Sequence, residues 1–201
     1  MQPEIVALIA LALIIGAAVV FVIVARRRRQ GLQERFGSEY DRTVDHAESR
    51  RRAESELADR VRRVGRLELR PLDPDRRDEY ARQWRDAQAH FVDAPGEAVQ
   101  EADRVVAEVM AERGYPVEDF EQREADLSVH HSGVIEHYRA GHGITLAYRQ
   151  GHAGTEDLRQ AMVHYRALFE DLLEGQPSEE PEVVVDVSDD AMERDRIRRE
   201  P

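Results

Sequence analysis

Five of the eight histidines fall between residues 130 and 152: His130, His131, His137, His142 and His152. With Asp126 and Glu136 nearby, this stretch holds the donor types that bind zinc or iron. The spacing argues against a simple centre. Two ligands share a helical face only at i, i+3 or i, i+4, whereas His137 and His142 are five apart and His130 and His131 are adjacent. The chain has no H-E-x-x-H and no E-x-x-H. Capping or surface roles are the plainer reading of these imidazoles. A metal-dependent or small-molecule-binding enzyme built on His130 to His152 is the alternative.

Other chemistries are poorly supported. Gly141-His142-Gly143 has no strand before it and lacks the third glycine of a dinucleotide fingerprint. The acid pairs Glu118-Asp119 and Glu156-Asp157 stand where helices begin, which is where the helix dipole favours them. No serine sits in a G-x-S-x-G elbow. Cysteine is absent, which excludes disulfides, thiolate metal sites and thiol nucleophiles. Lysine is absent too, so all 29 basic residues are arginine and neither a phosphate-loop lysine nor a Schiff base can form. No catalytic, cofactor-binding or metal-ligating residue is assigned, no cofactor is expected, and the chain is not read as an enzyme.

The elements that would position any site are helices throughout. Residues 30–67 read as one charged helix with a narrow apolar line through Phe36, Tyr40, Val44 and Ala47, resuming at Leu57, Val61 and Val64. Such a stripe suits a stalk or a two-helix contact. Asp73-Pro74 is a start signal for a helix to about Val92 that presents Tyr80, Trp84, Ala87 and Phe91. Asp93-Ala94-Pro95 repeats that signal for a helix to about Arg113, with Ala98, Ala102, Val105 and Val109 facing inward. Arg113-Gly114-Tyr115-Pro116 stops it. A short helix over about 117–127 follows, then one from Gly133 to Gln150 in which Gly141 and Gly143 suggest a break or a close backbone contact. Thr155 is expected to cap a last amphipathic helix through Leu158, Met162, Tyr165, Phe169 and Leu172.

One stretch is unlike the rest. Ile5 to Ala25 contains no charged residue and runs directly into Arg26, Arg27, Arg28 and Arg29. As a helix these residues span roughly 31 Å at ~1.5 Å per residue, close to the ~30 Å hydrocarbon thickness of a bilayer. A membrane anchor is therefore expected, with Ile5, Leu8, Leu11, Ile15, Val19, Val22 and Ala25 along it and the four arginines as its charge stop. A cleaved signal peptide would carry its positive charge ahead of a shorter apolar core. Arginine flanks stay on the cytoplasmic side, which puts the N-terminus outside and the remaining chain inside the cell membrane. Ala12 and Gly16 have the spacing that lets two such helices approach, so a homo-oligomer is one expectation.

Charge is uneven along the chain. The net charge is −12, divided as +3 over residues 1–29, −10 over 30–174 and −5 over 175–201. Arginine dominates residues 50–85 and acids dominate 93–126. So acidic a body makes a poor nucleic-acid binder. It could recruit a basic protein partner by long-range steering. The acidic, proline-containing segment after Gly175 is expected to be disordered. Its one apolar run, Val183-Val184-Val185-Asp186-Val187, has the composition of a strand that adds to a partner's sheet edge.

The segments RFGSEYDRTV (Arg35 to Val44), Trp84 to Val92 within YARQWRDAQAHFVDAP, RGYPVEDFEQREADLSV (Arg113 to Val129) and TEDLRQAMVHYRALFEDLL (Thr155 to Leu173) resemble a family of single-pass actinobacterial membrane proteins. That family has no assigned activity, so the resemblance implies an anchor and an all-helical body and transfers no site residues. The resulting expectation is an all-α chain: an anchor over 1–29, a charged juxtamembrane helix over 30–70, a helical bundle over 71–174 and an acidic tail over 175–201. Its expected role is a scaffold or adaptor holding a protein partner at the membrane, with a stalk in a larger complex as a further alternative. The sequence is silent on a small-molecule ligand.

Overall fold

The computed structural model describes the backbone of residues 3–174 and the side chains of residues 11–174. Over that range the chain is all-helical: α1 Pro3–Phe36, α2 Ser38–His46, α3 Arg50–Val64, α4 Pro74–His90, α5 Pro95–Glu112, α6 Phe120–Leu127, α7 Ile135–Arg149 and α8 Thr155–Glu174. The acidic tail, with its expected disorder, lies outside the described residues, as do the side chains of Ile5 and Leu8.

Local chemistry explains most of the boundaries. The Asp73 side chain accepts the Asp75 N–H at 2.9 Å, and Pro74 occupies the first position of α4, where its missing donor costs nothing. Asp119 caps α6 by accepting from the Gln122 N–H at 2.7 Å. Two expected starts differ in detail. α5 is preceded by Ala94, which offers no side-chain acceptor, so Pro95 alone sets that entry. At α8 Thr155 is already helical, and the Gly154 N–H instead meets Asp157 Oδ2 at 2.8 Å.

The largest departure concerns residues 30–67. They form the end of α1, then α2, then α3, in place of one helix. Gly37 adopts φ 51°, a conformation glycine takes without the penalty of a side chain, and the chain turns there. A second break follows at Ala47, which is extended, after which Ser49 caps α3 by accepting from the Arg52 N–H at 3.3 Å. The narrow apolar line is therefore folded back on itself. Phe36, Tyr40, Leu57 and Val64 bury together with Val129 in a small second core, where a single straight helix would have left them half wet.

The main core lies between α4, α5, α7 and α8. Trp84 stacks on Phe169 with ring centroids 4.6 Å apart, which gives the chain's single tryptophan the anchoring role its spacing suggests. The apolar face of α5, from Ala98 and Val99 to Val109 and Met110, is buried. α7 does not break at its glycines. A Cβ at Gly141 would stand 3.4 Å from the Tyr165 ring, so that glycine serves the close packing of α7 on α8. Gly143 faces open space, and nothing in the packing explains it.

Gly114 is more constrained. It holds φ 93°, and a Cβ there would sit 2.6 Å from the Glu68 carbonyl oxygen. Gly114→Ala should destabilise the fold by about 2 kcal/mol or more, since the left-handed penalty alone is ~1–2 kcal/mol. Urea denaturation of the variant measures it; an unchanged midpoint would show that the α5–α6 turn is free to relax.

Among the described residues no helix is long and apolar enough to cross a membrane.

Candidate functional site

The described part of α1 exposes its apolar side chains on every side. Leu11, Ile15, Val19, Val22 and Ala25 are all exposed, and Phe21 is 74 % exposed, with no other helix covering them. Apolar surface this continuous is normally buried in protein or lipid. Arg26, Arg27 and Arg28 are exposed directly beyond it, whereas Arg29 turns back towards the Tyr40 hydroxyl. The same helix then continues without interruption to Phe36, whose side chain is fully buried in the second core. The apolar rod and the body are thus joined by rigid helix.

A groove of about 1080 Å³ opens where the base of α1 meets α3. Arg28 and Arg35 from α1 and Arg51 and Arg62 from α3 line it, opposed by only Glu34 and Glu54. Leu32, Ala58, Val61 and Val129 contribute its apolar surface. Glu54 is partly engaged, because it accepts the Tyr40 hydroxyl at 2.8 Å.

Beside this groove a buried ion cluster ties the α2–α3 hairpin to the body. Glu39 is wholly buried and accepts from Arg139 Nη1 and Nη2, each at 2.8 Å, and from Arg60 Nη1 at 2.9 Å. Arg139 also pairs with Glu124, and Arg60 reaches Ser128 at 3.2 Å. Burial by itself would raise the Glu39 pKa, but the two guanidinium groups outweigh it and hold the carboxylate below its ordinary range. Asp126, also buried, accepts from Arg63 at 2.7 Å and Gln122 at 2.8 Å. Periodicity could not reveal this cluster, since its members come from four helices and read individually as surface charges.

A second cleft, of about 530 Å³, runs along α5 and is lined by Glu97, Glu101, Asp103, Arg104, Arg123 and Arg149 among others. Two of its lining residues carry a buried atom without a hydrogen-bond partner, Asp103 Oδ1 and Arg123 Nε, and His142 Nδ1 is buried in the same state. Arg123 spends a further donor on the Tyr138 hydroxyl at 2.9 Å, and burial raises the pKa of that phenol. His142 stacks on Phe120 at 3.7 Å, and its pKa is lowered, chiefly by burial, with Asp103 opposing. Since the folded state resists protonating His142, its contribution to stability is whole above its ordinary pKa of 6.5 and declines as pH falls through the lowered folded value. His142→Phe keeps the stacking surface and should flatten the pH dependence of the melting temperature between about 7 and 5. An unchanged pH profile would show that other groups control that window.

The remaining histidines do not converge. His131 is buried and paired with Asp171, His130 approaches the Tyr115 hydroxyl at 3.3 Å, His137 meets His164 at 3.0 Å, and His152 is exposed. Among the described residues no three His, Asp or Glu side chains are grouped to hold a metal ion. Arg113, expected as a helix-ending cation, is buried instead and donates to the Leu172 carbonyl at 2.7 Å. Burial lowers its pKa against the pull of Tyr115 and Asp171, and the same burial pushes Tyr115 up to about 12.

No family model matches this chain, and neither does any curated protein or solved structure.

Proposed function

We propose that the protein is a single-pass membrane anchor carrying a helical scaffold, which holds a protein partner at the cytoplasmic face. The observation that carries this reading is α1: apolar and exposed from Leu11 to Ala25, collared by Arg26 to Arg29, and continuous with the buried Phe36. Residues 5–10 would complete the span, and their composition suits it. An arginine flank near an anionic leaflet favours the cytoplasmic side by about 1 kcal/mol per residue. The resemblance to single-pass actinobacterial proteins points the same way. A helical connection without a loop sets the height and direction of the body above the lipid, which is what a scaffold requires. The acids along α5, Glu97 and Glu101 foremost, suit a basic partner.

Crosslinking in native membranes, followed by purification of the full chain at low and high salt, tests the scaffold. One protein should be retained at low salt and released as salt rises. A chain that carries no partner at either salt would defeat the reading.

A second reading, small-molecule binding in the α5 cleft, is favoured by the partnerless buried atoms of two residues that line it, Asp103 and Arg123. Its mark would be a metabolite that raises the melting temperature of the wild type and not of Asp103→Asn. The stalk alternative is the weaker one, because residues 38–64 pack as the α2–α3 hairpin and not as a thin extended helix.

A further inference from the structure

We infer that the groove at the base of α1 is a docking site for the chain's own acidic tail, with Val183–Val187 lying along its apolar surface. Three independent features converge on this occupant.

The first is charge. The groove is lined by Arg28, Arg35, Arg51 and Arg62 against Glu34 and Glu54. The valine run is preceded by Glu179, Glu180 and Glu182, interrupted by Asp186, and followed by Asp189 and Asp190. Acid on both sides of a short apolar core matches arginine on both edges of an apolar trough.

The second is shape and periodicity. In an extended chain alternate residues share a face, so Val183, Val185 and Val187 point together. That face can cover Leu32, Ala58 and Val61, leaving Glu182 and Asp186 towards the arginine rim and solvent. A wide ligand is not needed; an extended single strand is the narrowest apolar object a protein can offer.

The third is the place where the described chain stops. Asp171, near the end of α8, pairs with His131, whose chain neighbour His130 lines the groove. Arg113 fixes the same end of α8 through the Leu172 carbonyl. Glu174 is three residues further, and Val183 is nine residues beyond that, within ~30 Å of extended chain. The tail thus leaves α8 beside one end of the groove, and a short tether gives a high effective concentration there.

The consequence is regulatory: the docked tail covers the basic groove next to the arginine collar. The inference stands without the membrane reading, since it needs only the helical body and the tail.

The chain has no cysteine, so an introduced pair reports proximity without background. The full-length, detergent-solubilised protein carrying Ala58→Cys and Val185→Cys should form an intrachain disulfide about tenfold faster than a control pairing Val185→Cys with Arg159→Cys on α8. The advantage should vanish with Arg51→Glu and Arg62→Glu together, and shrink in ~1 M salt, where the Debye length is about 3 Å. Equal rates for both pairs, indifference to charge reversal, or disulfides joining two chains would each overturn the inference. So would failure to crosslink while an anionic phospholipid co-purifies, since the groove would then belong to lipid. Amide exchange on the unmodified chain guards against a misfolded variant: protection over Val183–Val187 lost in Arg51→Glu/Arg62→Glu supports docking, and random-coil exchange in the unmodified chain excludes it.

Discussion

Glu39→Ala should be among the most damaging single substitutions in the body, costing about 3–5 kcal/mol. Three arginine nitrogens donate to this one buried carboxylate, and Arg60 and Arg139 are themselves only 12 % and 14 % exposed. Removing the acid leaves two guanidinium groups facing each other in a poorly hydrated site. For a chain of this size the loss corresponds to roughly 6–20 °C in melting temperature. The damage should be specific to an uncompensated charge. Glu39→Leu combined with Arg60→Leu and Arg139→Leu should recover much of the loss, because replacing a whole buried ion triad by apolar groups is often close to neutral. Equal destabilisation by the single and triple variants would show that the cluster matters through its shape and not through its charge.

The same carboxylate supplies an acid limb to the stability profile. The folded pKa of Glu39 lies below its ordinary value of 4.5, so the unfolded chain takes up the proton first as pH falls. Its contribution is complete above 4.5 and is lost as pH drops through the lowered folded value. Glu39→Gln should therefore be less stable than wild type at neutral pH and show a shallower decline between about pH 5 and 3. Thermal melts across that range measure the difference.

The second large effect concerns location. Ile15→Arg together with Val19→Arg should move the full-length protein from the membrane pellet to the soluble fraction. Each arginine near the centre of a spanning helix costs about 2.5–3.5 kcal/mol on insertion scales. Both positions are exposed on α1, so helix content and the body's melting transition should be unchanged. Recovery of the unmodified protein in the soluble fraction would end the anchor hypothesis outright. Digestion of the body by protease added to sealed cells would preserve the anchor and reverse its orientation.

Sequence alone determined the all-α class, the helix start at Pro74, the inward faces of α4, α5 and α8, and the charge-free run beside four arginines. Each of these is a local property: a 3.6-residue period, a capping oxygen, a proline whose N–H is not missed. The structure had to decide the rest. It broke residues 30–67 at Gly37 and Ala47 because doubling back buries Phe36, Tyr40, Leu57 and Val64 against Val129, a residue far away in sequence. It buried Arg113 and Glu39, which look like surface charges one residue at a time, because their partners Leu172, Arg60 and Arg139 come from other helices. It scattered the histidines that appear as a cluster in the sequence, since proximity along a helical chain does not make side chains converge. Local spacing fixes which face a residue occupies; only packing between helices fixes what that face meets.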